Sequence, residues 1–308
     1  MAHIKPQFPD ELSDIIARID SKIKLKDYHT DATKYTSFNT YVEKHSPEKN
    51  TDEILENSRE QLFTANETLR ASKQYAVLIV LQGMDTAGKD GIISHVLSGL
   101  NPQSCNVASF KVPTEEEHAH NFLWRYSNKL PKRGEIVIFN RSHYEDVLVT
   151  KVHPTCMEAL PNKLTMKENK DFWSERYEDI NNFEKHLSRN GVLIIKIFLH
   201  ISKDEQKTRL LARLTNEDKF WKISSSDFTE RTYWEDYIKA YEEMLSSTSS
   251  KYAPWLIVPA NDKKIARAIV ADVVAHAIQA LAIEYPPVTP ENIKFFHQAK
   301  KHLEAEIS

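Results

Sequence analysis

Five short apolar runs punctuate an otherwise mixed chain: Ala76 to Leu81, Val107 to Val112, Ile136 to Phe139, Val192 to Leu199 and Trp255 to Val258. They are rich in β-branched residues and mostly continuous rather than alternating, the pattern of strands covered on both faces, as in a parallel sheet. Segments with helical spacing lie between them. Asn121 to Asn128 and Asn169 to Arg189 carry aromatics at that spacing, and Ser202-Lys203-Asp204-Glu205 has the form of a capping box opening a helix through Leu214. From Thr215 to Ser250 the pattern is helical and charge-laced with no strand, which predicts a lid at about 215–250 over the edge of the sheet. Asn261-Asp262 then caps a last long helix reaching about Ile283. Strands alternating with helices predict an α/β fold with a doubly wound, parallel, five-stranded sheet.

Ahead of the first strand, Ile54, Leu55, Leu62, Phe63 and Leu69 recur among charged residues between Thr51 and Lys73, as in a helix with one buried stripe. This N-terminal helical extension is expected to pack on the domain. The first 50 residues are polar, with Lys22, Lys24, Lys26 and Pro47, and read as an irregular or partly helical arm. The expected division is an arm over 1–50 and a single domain over 51–308.

Composition narrows the class. A chain of 308 residues with 41% hydrophobic and 28% charged content is ordinary for a globular protein and unlike a disordered or membrane chain. The net charge of -3 offers no global field for nucleic acid or anionic lipid, so neither is an expected partner, and any polyanion must be gripped locally. The two cysteines, Cys105 and Cys156, form no C-x-x-C pair, which fits a reducing compartment. Met1 to Ile23 holds Asp10, Glu11, Asp14 and Asp20 and no apolar run long enough for a signal or a span, so the expected address is the cytosol.

The chemistry concentrates at two strand ends. Gly83-Met84-Asp85-Thr86-Ala87-Gly88-Lys89 matches G-x-x-x-x-G-K, after one predicted strand and before the helical run Ile92 to Leu100. Backbone N–H groups in such a loop form an anion nest at a helix N-terminus, and the lysine reaches a phosphate oxygen. Asp90 follows where an ordinary phosphate loop places a Ser or Thr hydroxyl on magnesium, so the metal needs another ligand. Asp85 can hold it or orient a phosphate oxygen; alternatively it caps loop amides. The second end is Asn140-Arg141-Ser142-His143-Tyr144-Glu145-Asp146. Asn140 stands where such enzymes usually place a metal-binding carboxylate, leaving Glu145 and Asp146 as nearby candidates. Arg141 can fork across two phosphate oxygens, or pair structurally with Glu145 or Asp146. Of the remaining candidates, Trp221 and Trp234 suit lid packing more often than base stacking and stay unassigned, and His118 and His120 read as a solvated helix start rather than a metal site.

These segments, with Gly99-Leu100-Asn101-Pro102, Phe110-Lys111-Val112-Pro113, Phe198-Leu199-His200-Ile201-Ser202-Lys203 and Pro259-Ala260-Asn261-Asp262-Lys263-Lys264, resemble the polyphosphate kinase 2 family over roughly residues 50 to 285. The resemblance implies a P-loop kinase core of the thymidylate-kinase-like type with a helical lid, and dependence on Mg2+, with Mn2+ as an alternative. It also implies a homo-oligomer and reversible phosphate transfer between inorganic polyphosphate and a nucleotide. Asn140 and Glu145 look like the class III subgroup, which accepts both AMP and ADP, giving ADP and ATP; guanine nucleotides stay open as acceptors.

On this reading Gly83, Thr86, Ala87, Gly88, Lys89 and Asp90 hold the transferring phosphate, the metal sits on Asp85, and Arg141 steadies the charge in transit. Glu145 completes the catalytic set. Lys203, Lys207, Arg209, Arg213, Lys222 and Arg231 are expected as a cationic row for the chain, with Arg209 and Arg213 one helical turn apart on one face; the alternative is solvated charges paired with Glu205, Glu217 or Asp218. Two rival functions share these features: an ATP-dependent nucleoside monophosphate kinase, and a nucleotide-binding module without turnover.

Overall fold

The computed structural model describes residues 3–46, 50–154 and 170–306. Cys156 and Asn169 lie outside the described residues. The five strands β1 (Ala76–Gly83), β2 (Cys105–Ser109), β3 (Ile136–Asn140), β4 (Val192–His200) and β5 (Trp255–Pro259) are all parallel, in the order β2-β3-β1-β4-β5. β1 lies at the centre, with Val77 level with Ile136 on one side and Leu193 on the other. The chain passes from β1 to the edge strand β2, returns through β3, and then crosses β1 to β4 and β5, which places the switch point, and hence the ligand crevice, at the carboxyl end of β1.

Every residue of β1 and β4 is buried, as their continuous apolar runs predict. β2 departs from that expectation. It spans Cys105–Ser109 rather than 107–112 and is largely exposed, because it pairs with β3 alone at the edge of the sheet. The next residue, Phe110, turns inward and packs edge-on against Phe139.

Helices close both faces. The first are α1 (Thr36–His45) and α2 (Thr51–Ser72). The Asn50 side chain caps α2 by accepting from the Asp52 amide, and Ile54, Leu62 and Leu69 are buried along the predicted stripe. α3 (Lys89–Val96) follows the phosphate loop, and the short helices α4 (Glu115–Ala119) and α5 (Trp124–Ser127) bridge β2 and β3. Beyond β3 come α6 (Glu145–Val152) and α7 (Phe172–Arg189), and after β4 come α8 (Lys203–Leu214), α9 (Ser225–Thr232) and α10 (Trp234–Thr248). α11 (Lys263–Gln279) packs against α2, its start capped by Asp262, which accepts from the amides of Lys264 and Ile265. A final helix that periodicity did not anticipate, α12 (Pro290–Ala305), buries none of its residues.

Two segments take up more of the core than their polarity implied. In the arm, Leu12, Ile15, Ala17, Ile23 and Leu25 belong to the same buried cluster as the strands. The Ala17 amide donates to the Trp255 carbonyl and Ile16 bridges Leu256 in antiparallel fashion, so the arm covers the open edge of β5. The stretch expected as a lid divides in two. α9 buries no residue, whereas α10 sinks Trp234, Tyr241, Met244 and Leu245 into the body. Among the described residues, no helix is long and apolar enough to cross a membrane.

Candidate active site

The phosphate loop owes its shape to two glycines and one threonine. At Gly83 a Cβ would come within 2.9 Å of the Leu199 carbonyl oxygen, so nothing larger lets β1 and β4 stay this close. Gly88 has φ 111, a left-handed conformation that starts α3. Thr86 also sits at positive φ, 66, a strained conformation for a threonine. The Lys89 ammonium folds back to donate to the carbonyls of Gly83 (2.6 Å) and Met84 (3.2 Å). Burial pushes its pKa below the ordinary lysine value, while Asp85, Glu145 and Asp90 pull it back up.

Arg141, at the end of β3, crosses the loop's mouth. It adopts φ 64, its amide donates to Leu81, and its guanidinium donates to Asp85 Oδ1 (3.1 Å) and Glu145 Oε2 (3.2 Å). Of the two alternatives read from sequence, the pairing with Glu145 is present, and the same side chain lines the crevice. Asn140 Nδ2 donates to Asp90 Oδ1 at 3.0 Å, tying the strand end to the start of α3. Asp146 points elsewhere, accepting from the Tyr126 hydroxyl at 2.9 Å, and burial raises its pKa to about 6.

Two cavities of unequal size meet at these side chains. A tight one of about 40 Å³ is closed by Glu145, Leu148, Tyr237 and Tyr241. An open cleft of about 900 Å³ runs between α3, α8 and the start of α11. Asp85, Lys89 and Arg141 line both, so the charged gate is shared.

The cationic row is rearranged by the fold. Arg213 lines the large cleft, 3.8 Å from Asp227, and Trp221 lines it as well. Arg209 is buried beneath the loop, and its guanidinium is committed to the carbonyls of Thr86, Ala87, Ala260 and Asn261 and to Glu205. It still lines the large cleft where the polyphosphate was expected, but all three of its guanidinium nitrogens are engaged in holding the loop. Glu205 thereby completes only half of the predicted capping box, since Ser202 accepts from the Glu205 amide while the Glu205 carboxylate turns to Arg209. Lys203 lies 3.7 Å from Glu235, and Arg231 donates to Gln206 and to the Lys203 carbonyl, so neither joins the cleft wall. The side chain of Lys222 lies outside the described residues. Beside Arg209 and Arg213, the cleft gains Lys111, Lys263 and Arg267, which sequence reasoning missed. The signal was present: Lys263 and Arg267 are four residues apart at the start of a capped helix.

The chain is similar to several known proteins over most of its length. The chain is 46% identical over 288 residues to the "ADP-polyphosphate phosphotransferase" of Rhodopseudomonas palustris, covering 92% of this chain and 99% of that one. It is 44% identical over 226 residues to the "AMP/ADP-polyphosphate phosphotransferase" of Meiothermus ruber, covering 73% and 80%. The crystal structure of Polyphosphate Kinase 2 from Arthrobacter aurescens TC1 superposes with a TM-score of 0.81 at 34% identity, over 98% of this chain and 99% of that one. The profile of the family described as Polyphosphate kinase 2 matches residues 45–286, and the chain belongs to that family.

Proposed function

We propose that this protein is a polyphosphate-dependent nucleotide kinase, moving a phosphoryl group reversibly between inorganic polyphosphate and AMP or ADP to give ADP or ATP. The observation that carries the reading is the pair of cavities meeting at Asp85, Lys89 and Arg141. Phosphoryl transfer needs donor and acceptor phosphates in line, with cations at the moving group, and little else. An oxygen of the acceptor's terminal phosphate attacks the last phosphorus of the polyphosphate. The new P–O bond forms as the bond to the next bridging oxygen breaks, and the shortened chain leaves with the negative charge.

In this scheme the amides of Gly83 to Lys89 cradle the moving phosphate and Lys89 leaves the loop carbonyls to meet it. Arg141 spans the gate, held by Asp85 and Glu145. Arg213, Lys111, Lys263 and Arg267 supply the cations spaced along the large cleft that a linear polyanion requires. Arg209 keeps the cradle in shape without touching substrate.

Kinases of this kind require a divalent cation, and Mg2+, with Mn2+ as a substitute, neutralises charge on the reacting phosphate oxygens when bound. The donor set fits it. Asp85 offers a partly exposed carboxylate at the gate, and among the described residues no group of three or more His, Cys, Asp or Glu forms a metal cage. Sharing the ion between one carboxylate, substrate phosphates and water is the usual Mg2+ arrangement. Acceptance of both AMP and ADP rests on Glu145, and a cytosolic setting and self-association accompany the reading as proposals.

The test is ATP formation, read by luciferase, from purified protein with ADP, Mg2+ and polyphosphate. ATP that appears only with polyphosphate supports the reading. No ATP, together with phosphorylation of a nucleoside monophosphate by ATP, would replace it with the monophosphate kinase.

A further inference from the structure

One buried polar side chain beside the gate has no part in the scheme above. β1 runs Ala-Val-Leu-Ile-Val-Leu before Gln82, and Gln82 is 1% exposed. A primary amide in such a strand must find its partners inside the protein. Its Nε2 donates to Ser142 Oγ and to Glu145 Oε1, each at 3.1 Å, so both protons of the amide are spent on the segment after β3. The other Glu145 oxygen, Oε2, accepts from Arg141. Ser142 Oγ in turn accepts from the Tyr144 amide at 3.3 Å, closing the turn that begins at the strained Arg141.

We propose that Gln82 is a positioning residue for phosphoryl transfer: its amide fixes the Glu145 carboxylate, and through it the Arg141 guanidinium, and so sets the choice between AMP and ADP. The inference rests on the kinase reading above. The physical case is that Glu145 is itself partly exposed on the wall of the small cavity, where an untethered carboxylate would sample several rotamers. Arg141 is pulled from two sides, by Asp85 on the loop and by Glu145 on α6. Only the second of these anchors is itself tied to the rigid central strand. A fixed carboxylate can accept from one acceptor and repel the extra phosphate of another; a mobile one discriminates less.

The test compares kcat and KM for AMP and for ADP in the wild type, Gln82→Met, Glu145→Ala and the double variant. Gln82→Met keeps the volume and removes both hydrogen bonds. It is expected to lower kcat roughly 10- to 100-fold, with KM for polyphosphate within about twofold. Its AMP-to-ADP ratio should shift in the same direction as that of Glu145→Ala. In the Glu145→Ala background the substitution should add little, because the group it positions is gone. A ratio within about twofold of wild type, or a loss that adds in full in the double variant, overturns the proposal. Gln82→Glu keeps the shape should Gln82→Met fail to fold, and sets a second carboxylate against Glu145 among Asp85, Lys89 and Arg141. Its activity relative to wild type should rise as pH falls and one carboxyl takes a proton; a flat ratio across pH speaks against the tether. A wild type inactive with polyphosphate would overturn the kinase reading, whereas an active wild type with an indifferent Gln82 overturns only this inference.

Discussion

Arg141 and His143 are two residues apart, yet they belong to opposite electrostatic worlds. Arg141 looks into the crevice with 44% of its side chain exposed, in a chain of charges from Asp85 to Glu145 that substrate phosphates can join. His143 and Tyr144 look the other way, fully buried, toward Glu184 and Lys196. There Glu184 Oε1 accepts from the Tyr144 hydroxyl (2.6 Å) and meets His143 Nε2 (3.3 Å), while Oε2 accepts from the Lys196 ammonium (2.7 Å). Lys196 donates further to Tyr144 and to the Thr248 carbonyl. Burial alone would push the Glu184 carboxyl up, but Lys196 and His143 outweigh it and hold its pKa below the ordinary value. The sealed cluster has its charges matched within the protein, and the open one leaves its phosphate partners to be supplied. The segment from Arg141 to Glu145 thus lines the crevice on one face and anchors in the core on the other.

Substitutions that exchange these fates sharpen the contrast. The largest effect is expected from Lys196→Met, which strands Glu184 in the core: a loss of about 3–5 kcal/mol, read from the urea midpoint, with kcat of the folded fraction within about twofold of wild type. Arg141→Gln should do the reverse, lowering kcat/KM roughly 10²- to 10³-fold while the melting temperature moves by no more than about 2 °C. Asp146 lies between the two regions. Its folded pKa of about 6 exceeds the ordinary value of 3.8, so the folded protein holds this proton more tightly than the unfolded chain. That contribution to stability is present at low pH and is lost as pH rises through the folded value. Asp146→Asn, which keeps an acceptor for Tyr126, should therefore stabilise the protein by ~1–2 kcal/mol at pH 7.5 and by nothing measurable below pH 4. The smallest effect belongs to the cleft wall. Arg267→Ala should raise KM for polyphosphate a few-fold, and added salt should shrink the difference, because a single cation open to solvent on one side is screened.

What could be read from the chain follows how local the determinant is. The phosphate loop was legible because its glycines and lysine act within seven consecutive residues, and Arg141 because strand ends in this topology face the crevice. Arg209 and Arg213 mark the limit. They share a helix face, differ by one turn and both line the cleft, yet Arg209 also reaches down to clamp Thr86 and Ala87. Which turn of α8 abuts the loop is a tertiary fact that spacing does not encode. Lys263 and Arg267 went unread for the same reason, since they reach the cleft only when β5 returns beside β4. Gln82 was the exception: an amide ending a buried apolar run is a signal that the sequence carried openly. The exposed edge strand β2 shows the converse, an apolar run whose position in the sheet leaves it half uncovered.

The most direct test of the central claim follows the phosphate itself. Polyphosphate labelled with 32P is incubated with ADP, Mg2+ and either wild type or Asp85→Asn, and the products are separated. Label in the terminal phosphate of ATP with the wild type, reduced at least about 100-fold in Asp85→Asn, is the predicted result. Label released only as inorganic phosphate, or transfer undiminished by Asp85→Asn, would contradict a gate in which loop and strand end together pass a phosphoryl group from chain to nucleotide.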